Sequence, residues 1–152
     1  MSIKRVLTLA ASAAAVAALF SPVSSASALE AGSQGAKAPQ LAAADGFLHV
    51  WTQPHAGGRH CAWSGNSDNW GTCRNLTSDI YNNGYPGFLD AVDLYWGTNA
   101  TGAHACISQG DSWPDTTTGQ YRFTYGEGLG GFGQSVNNNI SSHRWVDYCS
   151  QG

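Results

Sequence analysis

The chain predicts an all-β domain: two Greek-key motifs forming one sandwich, stapled by two disulfides. Three observations carry this. The 152-residue sequence has no sustained 3.6-residue apolar period bracketed by helix caps. Short runs rich in aromatic and β-branched residues are instead separated by Gly, Asn and Pro turn signals. The sequence also repeats itself. Trp51-Thr-Gln-Pro-His-Ala56-Gly-Gly58 is answered 44 positions on by Tyr95-Trp-Gly-Thr-Asn-Ala100-Thr-Gly102. Each copy reaches a cysteine (Cys61, Cys106) and, further on, a hydroxyl pair (Thr77-Ser78, Ser141-Ser142). A duplicated pattern of this kind marks two copies of one supersecondary unit.

Residues 1–28 read as a secretory signal peptide. Lys4 and Arg5 precede an apolar run over 6–20, and Ala26-Ser-Ala28 is a small-x-small cleavage signature. That run is shorter than the ~20 residues that span a bilayer. Residues 29–45, rich in Ala, Gly, Gln and Pro, read as a flexible leader. The domain then occupies 46–150. Strands are expected over 47–52, 59–63, 91–96, 104–108, 121–125 and 141–148, with one short helical turn near 78–82 or 86–91. Turns are expected at Gly57-Gly58, Asn66-Ser-Asp68, Asn82-Asn-Gly84, Tyr85-Pro-Gly87, Gly102, Gly110-Asp111 and Pro114-Asp115.

Composition narrows the functional classes. Without Lys4 and Arg5 the chain keeps 5 basic against 10 acidic residues, a net charge of −5. Such a surface is unsuited to nucleic acid or anionic lipid. A secreted, extracellular monomer is expected. Four cysteines in an exported chain imply two disulfides, with three possible connectivities. The repeat favours Cys61 with Cys73 and Cys106 with Cys149, so that each copy keeps its own bridge.

The repeated phrase has a physical logic. An aromatic ring covers a turn, a small residue lets it lie flat, and a Gly takes a backbone conformation that a Cβ would forbid. The hydroxyl pair then caps the loop entering the last strand. On these residues the chain resembles the microbial βγ-crystallin superfamily. Asn137-Asn138-Asn139-Ile140-Ser141-Ser142 matches the second part of its signature, while Cys73-Arg74-Asn75-Leu76-Thr77-Ser78 keeps only the hydroxyl pair. Both copies carry Ala (56, 100) where that family has a second aromatic. About 20 extra residues in the second copy are expected between Ser108 and Gly126. Asn83-Gly-Tyr-Pro-Gly87, Leu94-Tyr-Trp-Gly-Thr-Asn99 and Asn139-Ile-Ser-Ser-His-Arg-Trp145 are similar to secreted actinobacterial proteins grouped with the Streptomyces metalloproteinase inhibitor.

This resemblance implies a non-enzymatic inhibitor of an extracellular peptidase, with a calcium- or glycan-binding module as the alternative. An inhibitory loop must be stiff, and a neighbouring disulfide supplies stiffness. The candidate bond is Cys106-Ile107, because a thermolysin-like enzyme wants a large aliphatic residue after the cut. For calcium, the resemblance implies Asn139 and Ser141 at one site and Asn138 reaching its sister. Ca²⁺ prefers six to eight oxygens including carboxylates. Neutral amides, with Arg74 in the sister motif, predict at most one weak Ca²⁺ site and no other cofactor.

The remaining motifs point to no further chemistry. Five histidines suggest zinc, above all at His60-Cys61 and His104-x-Cys106, but disulfides withdraw the thiolates. There is no Gly-x-Ser-x-Gly or His-Glu-x-x-His, and Asp90 and Asp93 read as loop and strand residues. Gly126-x-Gly128-x-x-Gly131 and Gly128-x-Gly130-x-x-Gly133 overlap and open no βαβ unit, so they reflect composition. Asn75-Leu-Thr, Asn99-Ala-Thr and Asn139-Ile-Ser read as turn chemistry in a bacterial chain. For a glycan, Trp63, Trp70, Trp96 and Trp113 are the stacking candidates.

Overall fold

The computed structural model describes residues 43–150. The expected signal peptide and nearly all of the expected leader lie outside the described residues. Ala43 and Asp45 are already tied to the domain, through Asn83 Nδ2 to Ala43 O (3.3 Å) and Asp45 N to Asn83 O (3.1 Å).

Seven strands form two antiparallel sheets. They are β1 (Phe47–Gln53), β2 (Gly57–Trp63), β3 (Asp79–Asn83), β4 (Ala91–Tyr95), β5 (His104–Ile107), β6 (Ser112–Trp113) and β7 (Ser142–Val146). The first sheet runs β2-β1-β3-β6 and the second β5-β4-β7. β1, β2, β4, β5 and β7 follow the apolar runs of the sequence. β3 replaces the expected helical turn, because Asp79–Asn83 pairs with β1 along its whole length. The two helical turns are 3-10 segments at Gly71–Cys73 and Thr116–Thr118. The expected strand at 121–125 survives only as single bridges, His104 with Tyr125 and Arg122 with Ser135.

Each half lends the other an edge segment. β6, from the second half, is the edge of the first sheet beside β3. Ser67, from the first half, bridges His143 of β7 in the second sheet (N to O, 3.2 and 3.0 Å). Each sheet is therefore completed by the other half, which is the two-Greek-key sandwich predicted from the repeat. The extra residues of the second half follow β6 rather than starting at Ser108. They fill 114–137, where Phe123 and Val136 are fully buried.

The core lies between the sheets. Leu48, Val50 and Ile80 face Val92, Leu94 and Ile107, with Trp70, Phe123, Ile140 and Cys73 closing it. Side chains of this size contribute about 1.5–3 kcal/mol each when fully buried. The period-2 pattern of β1 turns Leu48 and Val50 inward, so Phe47, His49 and Trp51 share the outer face.

Both disulfides have the expected pairing, Cys61–Cys73 and Cys106–Cys149. They are not equivalent within the repeat. Trp51 pairs with His60 and Tyr95 with His104, so Cys61 corresponds to Ala105 and Cys106 to Ala62. A one-residue offset reverses the face of a strand. Cys61 packs against the core, whereas Cys106 sits opposite Asp93 on the outer side of the second sheet.

Candidate functional site

Ile107 lies in β5, opposite Val92, and is 1% exposed. The Cys106-Ile107 bond is thus a core-strand bond, which corrects its reading as an inhibitory loop. The side chain that would fill a peptidase pocket already fills the protein's own core, and extracting it would open the sandwich.

The exposed, stiffened loop is the β3–β4 connection, 84–89, which joins the two halves. Its apolar tip is bare: Tyr85 is 66%, Phe88 81% and Leu89 44% exposed. Four hydrogen bonds hold its backbone. Gly84 N donates to Asn82 Oδ1 (3.0 Å), Gln109 Nε2 to Gly84 O (2.9 Å), Gly87 N to Asp90 Oδ2 (2.8 Å), and Leu89 N to Asp147 Oδ1 (3.1 Å). Asp147 stands two residues before Cys149, so the Cys106 bridge steadies the segment that holds the loop. Leu89 adopts φ +58, a left-handed conformation uncommon for a branched residue. Beside the loop, Gly46, Ser64, Asn66 and Trp145 help line a cavity of about 320 Å³. The sequence offers turns here and, as an alternative, a short helical turn over 86–91, which does not form; the apolar Phe88-Leu89 pair directly after Pro86-Gly87 is the available signal.

The repeated phrases form matching hairpins. His55 and Ala56 have φ +55 and +57, and their counterparts Asn99 and Ala100 both have φ +55. Gly58 and Gly102 follow at φ +75 and +81, where only Gly is free of strain. Each turn is latched by the last strand of its half: Ala56 N donates to Asp79 Oδ2 (2.6 Å) and Ala100 N to Ser142 Oγ (3.0 Å). Burial pushes the Asp79 carboxyl up, against the lowering effect of the Ala56 N–H.

That symmetry moves the frame of the second motif by one residue. Asn75 N donates to Ile140 O (2.9 Å), and Asn138 N returns the bond to Thr77 O (3.0 Å). Ser78 N reaches Trp51 O as Ser141 N reaches Tyr95 O, both at 2.9 Å. Hence Asn75 corresponds to Asn138, at φ +57 and +56, and Ser78-Asp79 corresponds to Ser141-Ser142. Thr77-Ser78 resembles the pair Ser141-Ser142 only because Thr77 also carries a hydroxyl; Thr77 is a core residue whose hydroxyl donates to Cys73 O (3.3 Å).

Asn139 and Ser141 do meet, at a cavity of about 260 Å³ that Arg74, Asn75, Trp96 and Gly97 also line. Asn138 is not in that lining; it sits at the other half's loop through Thr77. Ser141 Oγ donates to Asn75 Oδ1 (3.0 Å), and the Asn139 amide donates to Ser135 O (2.9 Å) and Asn137 O (3.1 Å). The lining has no carboxylate and carries the Arg74 guanidinium, a poor match to a hard dication. Among the described residues, no three His, Cys, Asp or Glu side chains gather as a metal-binding group.

The glycan candidates mostly serve packing. Trp70 is buried, Trp63 lies against it (centroids 4.9 Å) and Trp113 stacks on Tyr121 (4.7 Å). Trp96 is 40% exposed, yet its ring covers the glycine segment, and a Cβ on Gly131 would overlap it.

Two polar clusters on the outer sheet faces were not legible as such. On the first sheet Asp45 Oδ2, His49 and His60 form a chain: His49 Nε2 to Asp45 at 2.8 Å and His49 Nδ1 to His60 Nε2 at 3.0 Å. On the second sheet the counterparts are Asp93 and His104, with Nε2 to Oδ2 at 3.7 Å. Burial pushes the Asp93 carboxyl up, and His104 and the Tyr95 hydroxyl (3.5 Å) oppose it.

Neither a protein-family model nor a curated protein matches the chain. Solved structures do resemble it. A βγ-crystallin from Ciona intestinalis shares 11% identity at a TM-score of 0.46, over 66% of this chain and 99% of that one. An archaeal βγ-crystallin shares 15% at 0.48, over 66% and 96%. A βγ-crystallin domain from Clostridium beijerinckii shares 11% at 0.44, over 67% and 99%. At these identities and TM-scores the likeness assigns the chain to no family and to no function.

Proposed function

We propose that the protein is a secreted, non-enzymatic inhibitor that docks on an extracellular peptidase through loop 84–89. One observation carries the reading: Phe88, the most exposed large apolar side chain among the described residues, stands on a loop whose backbone is pinned at Gly84, Gly87 and Leu89. A pinned loop loses little freedom on binding, so its apolar anchors yield affinity instead of offsetting ordering. Exposed aromatic anchors at the tip are the residue types that dominate interface energies.

The resemblance to the actinobacterial inhibitor group favours a metallopeptidase, whose clefts accept large apolar side chains such as Phe88 and Leu89. The left-handed turn at Leu89 does not suit the extended backbone that a peptidase cleaves. The loop therefore acts as a plug more than as a slow substrate. The test is an assay of the secreted protein against a panel of metallo- and serine peptidases. Micromolar or tighter inhibition of a metallopeptidase is expected, weakened about 30-fold or more by Phe88→Asp, in line with an anchor residue. No inhibition across the panel, or equal inhibition by the variant, overturns the reading.

A further inference from the structure

We propose that His49 and His60 form a surface site for a late first-row divalent ion, Cu²⁺ foremost, with Asp45 supporting it from the outer sphere. The proposal stands apart from loop 84–89 and rests on the outer face of the first sheet.

The two imidazoles project from neighbouring strands of one hairpin. Their facing nitrogens, His49 Nδ1 and His60 Nε2, are 3.0 Å apart, and their rings are within 10° of parallel. At metal–nitrogen distances of about 2.0–2.1 Å, that separation subtends about 95° at a shared ion. Such an angle is the cis angle of tetragonal Cu²⁺ or Ni²⁺, and it is tighter than tetrahedral zinc prefers. Each lone pair must swing by about 40° in opposite senses, from facing the other nitrogen onto a common ion, while the N···N separation is kept.

The surroundings suit that role. Asp45 Oδ2 accepts from His49 Nε2 at 2.8 Å, which places the proton on Nε2 and leaves Nδ1 as the lone pair. This carboxylate–histidine arrangement orients metal-bound imidazoles and raises their basicity. Without metal, His60 Nε2–H donates to His49; with metal, His60 carries its proton on Nδ1, which has no hydrogen-bond partner among the described residues. Trp51 backs His60 at 4.8 Å, and the Cys61–Cys73 bridge begins at the next residue, so the hairpin presents the pair rigidly. His60 is exposed, leaving the other coordination positions to water. The second half lacks this device, since Asp93 stands where His49 does and is 3.7 Å from His104.

The experiment is Cu²⁺ titration of the full chain, read by calorimetry and by electron paramagnetic resonance. One Cu²⁺ bound through two imidazole nitrogens is expected. His49→Ala and His60→Ala should each lose affinity at least tenfold and show one nitrogen fewer, and Asp45→Asn should lose about tenfold. His104→Ala should match the wild type. Both histidines face outward, and an unchanged melting temperature without metal confirms that the variants fold; His60→Asn serves if His60→Ala does not. Wild-type affinity and hyperfine pattern in the His49→Ala/His60→Ala double variant would place copper elsewhere and overturn the proposal.

Discussion

The indole N–H of Trp70 donates to Nδ1 of His143 at 2.8 Å, joining residues 73 apart inside the core. His143 Nε2–H in turn donates to Gly65 O at 2.8 Å. Both ring nitrogens are thereby committed to the neutral tautomer with its proton on Nε2. Trp70 precedes the 3-10 turn that carries Cys73, and His143 sits in β7, so this pair links the two halves beside the bridge from Ser67 to His143.

That pair makes the fold acid-sensitive. Burial lowers the His143 pKa from 6.5 to about 4, with the Gly65 bond opposing and the Arg144 charge assisting. Because the folded value lies below the unfolded one, the unfolded chain binds the extra proton between them. The contribution is complete above pH 6.5 and declines as pH falls towards 4. Its size is about 3 kcal/mol. Urea unfolding at pH 7 and pH 4.5 should show this loss in the wild type and a much smaller one in His143→Gln, which starts from a lower stability. Equal pH slopes in both proteins would refute the assignment.

The two disulfides should differ in worth. Cys106–Cys149 closes a 43-residue separation and Cys61–Cys73 one of 12. Loop-closure entropy gives about 4 and about 3 kcal/mol respectively. Removing Cys106–Cys149 also frees the segment that carries Asp147, the partner of Leu89 N. The Cys106→Ser/Cys149→Ser variant is expected to melt lower and to show faster amide exchange at Leu89. The Cys61→Ser/Cys73→Ser variant should leave that amide's protection relative to global unfolding unchanged.

The latches on the repeated hairpins should be separable by residue. Ser142 Oγ accepts from Ala100 N and donates to Gly97 O (2.6 Å), so Ser142→Ala leaves a half-buried carbonyl and an amide without their partner. A loss of about 2 kcal/mol is expected. Asp79→Asn keeps an acceptor for Ala56 N and should cost less than Asp79→Ala. Denaturant midpoints of the three variants check the order.

Calcium should bind weakly, if the cavity chemistry decides. With Arg74 in the lining and no carboxylate, the wild type should show no melting shift at millimolar Ca²⁺. Arg74→Asp removes the cation and adds a carboxylate beside Asn75, Asn139 and Ser141, and should gain a Ca²⁺-dependent rise. A rise already present in the wild type would contradict the argument.

The sequence by itself determined the class of fold and five of the seven strands among the described residues, and it favoured, among three possible connectivities, the disulfide pairing that forms. These follow from local patterning: Leu48 and Val50 alternate with outward residues, and the repeated Ala-x-Gly turns need left-handed backbone wherever they stand. Other features were decided only in three dimensions. β3 and β6 are strands because partners in the sheet satisfy their backbone, which no local propensity records. Thr77 and Ser78 look interchangeable in the chain, and only the bonds Asn75 to Ile140 and Asn138 to Thr77 fix the frame. Ile107 stands in an expected strand beside a bridged cysteine, and only the pleat shows that it points inward, while Phe88 is left bare because no sheet covers it. His49 and His60, eleven residues apart, become neighbours only through hairpin register. Periodicity specifies which way a side chain points, but what it meets depends on the partner strand, and that is set by tertiary packing.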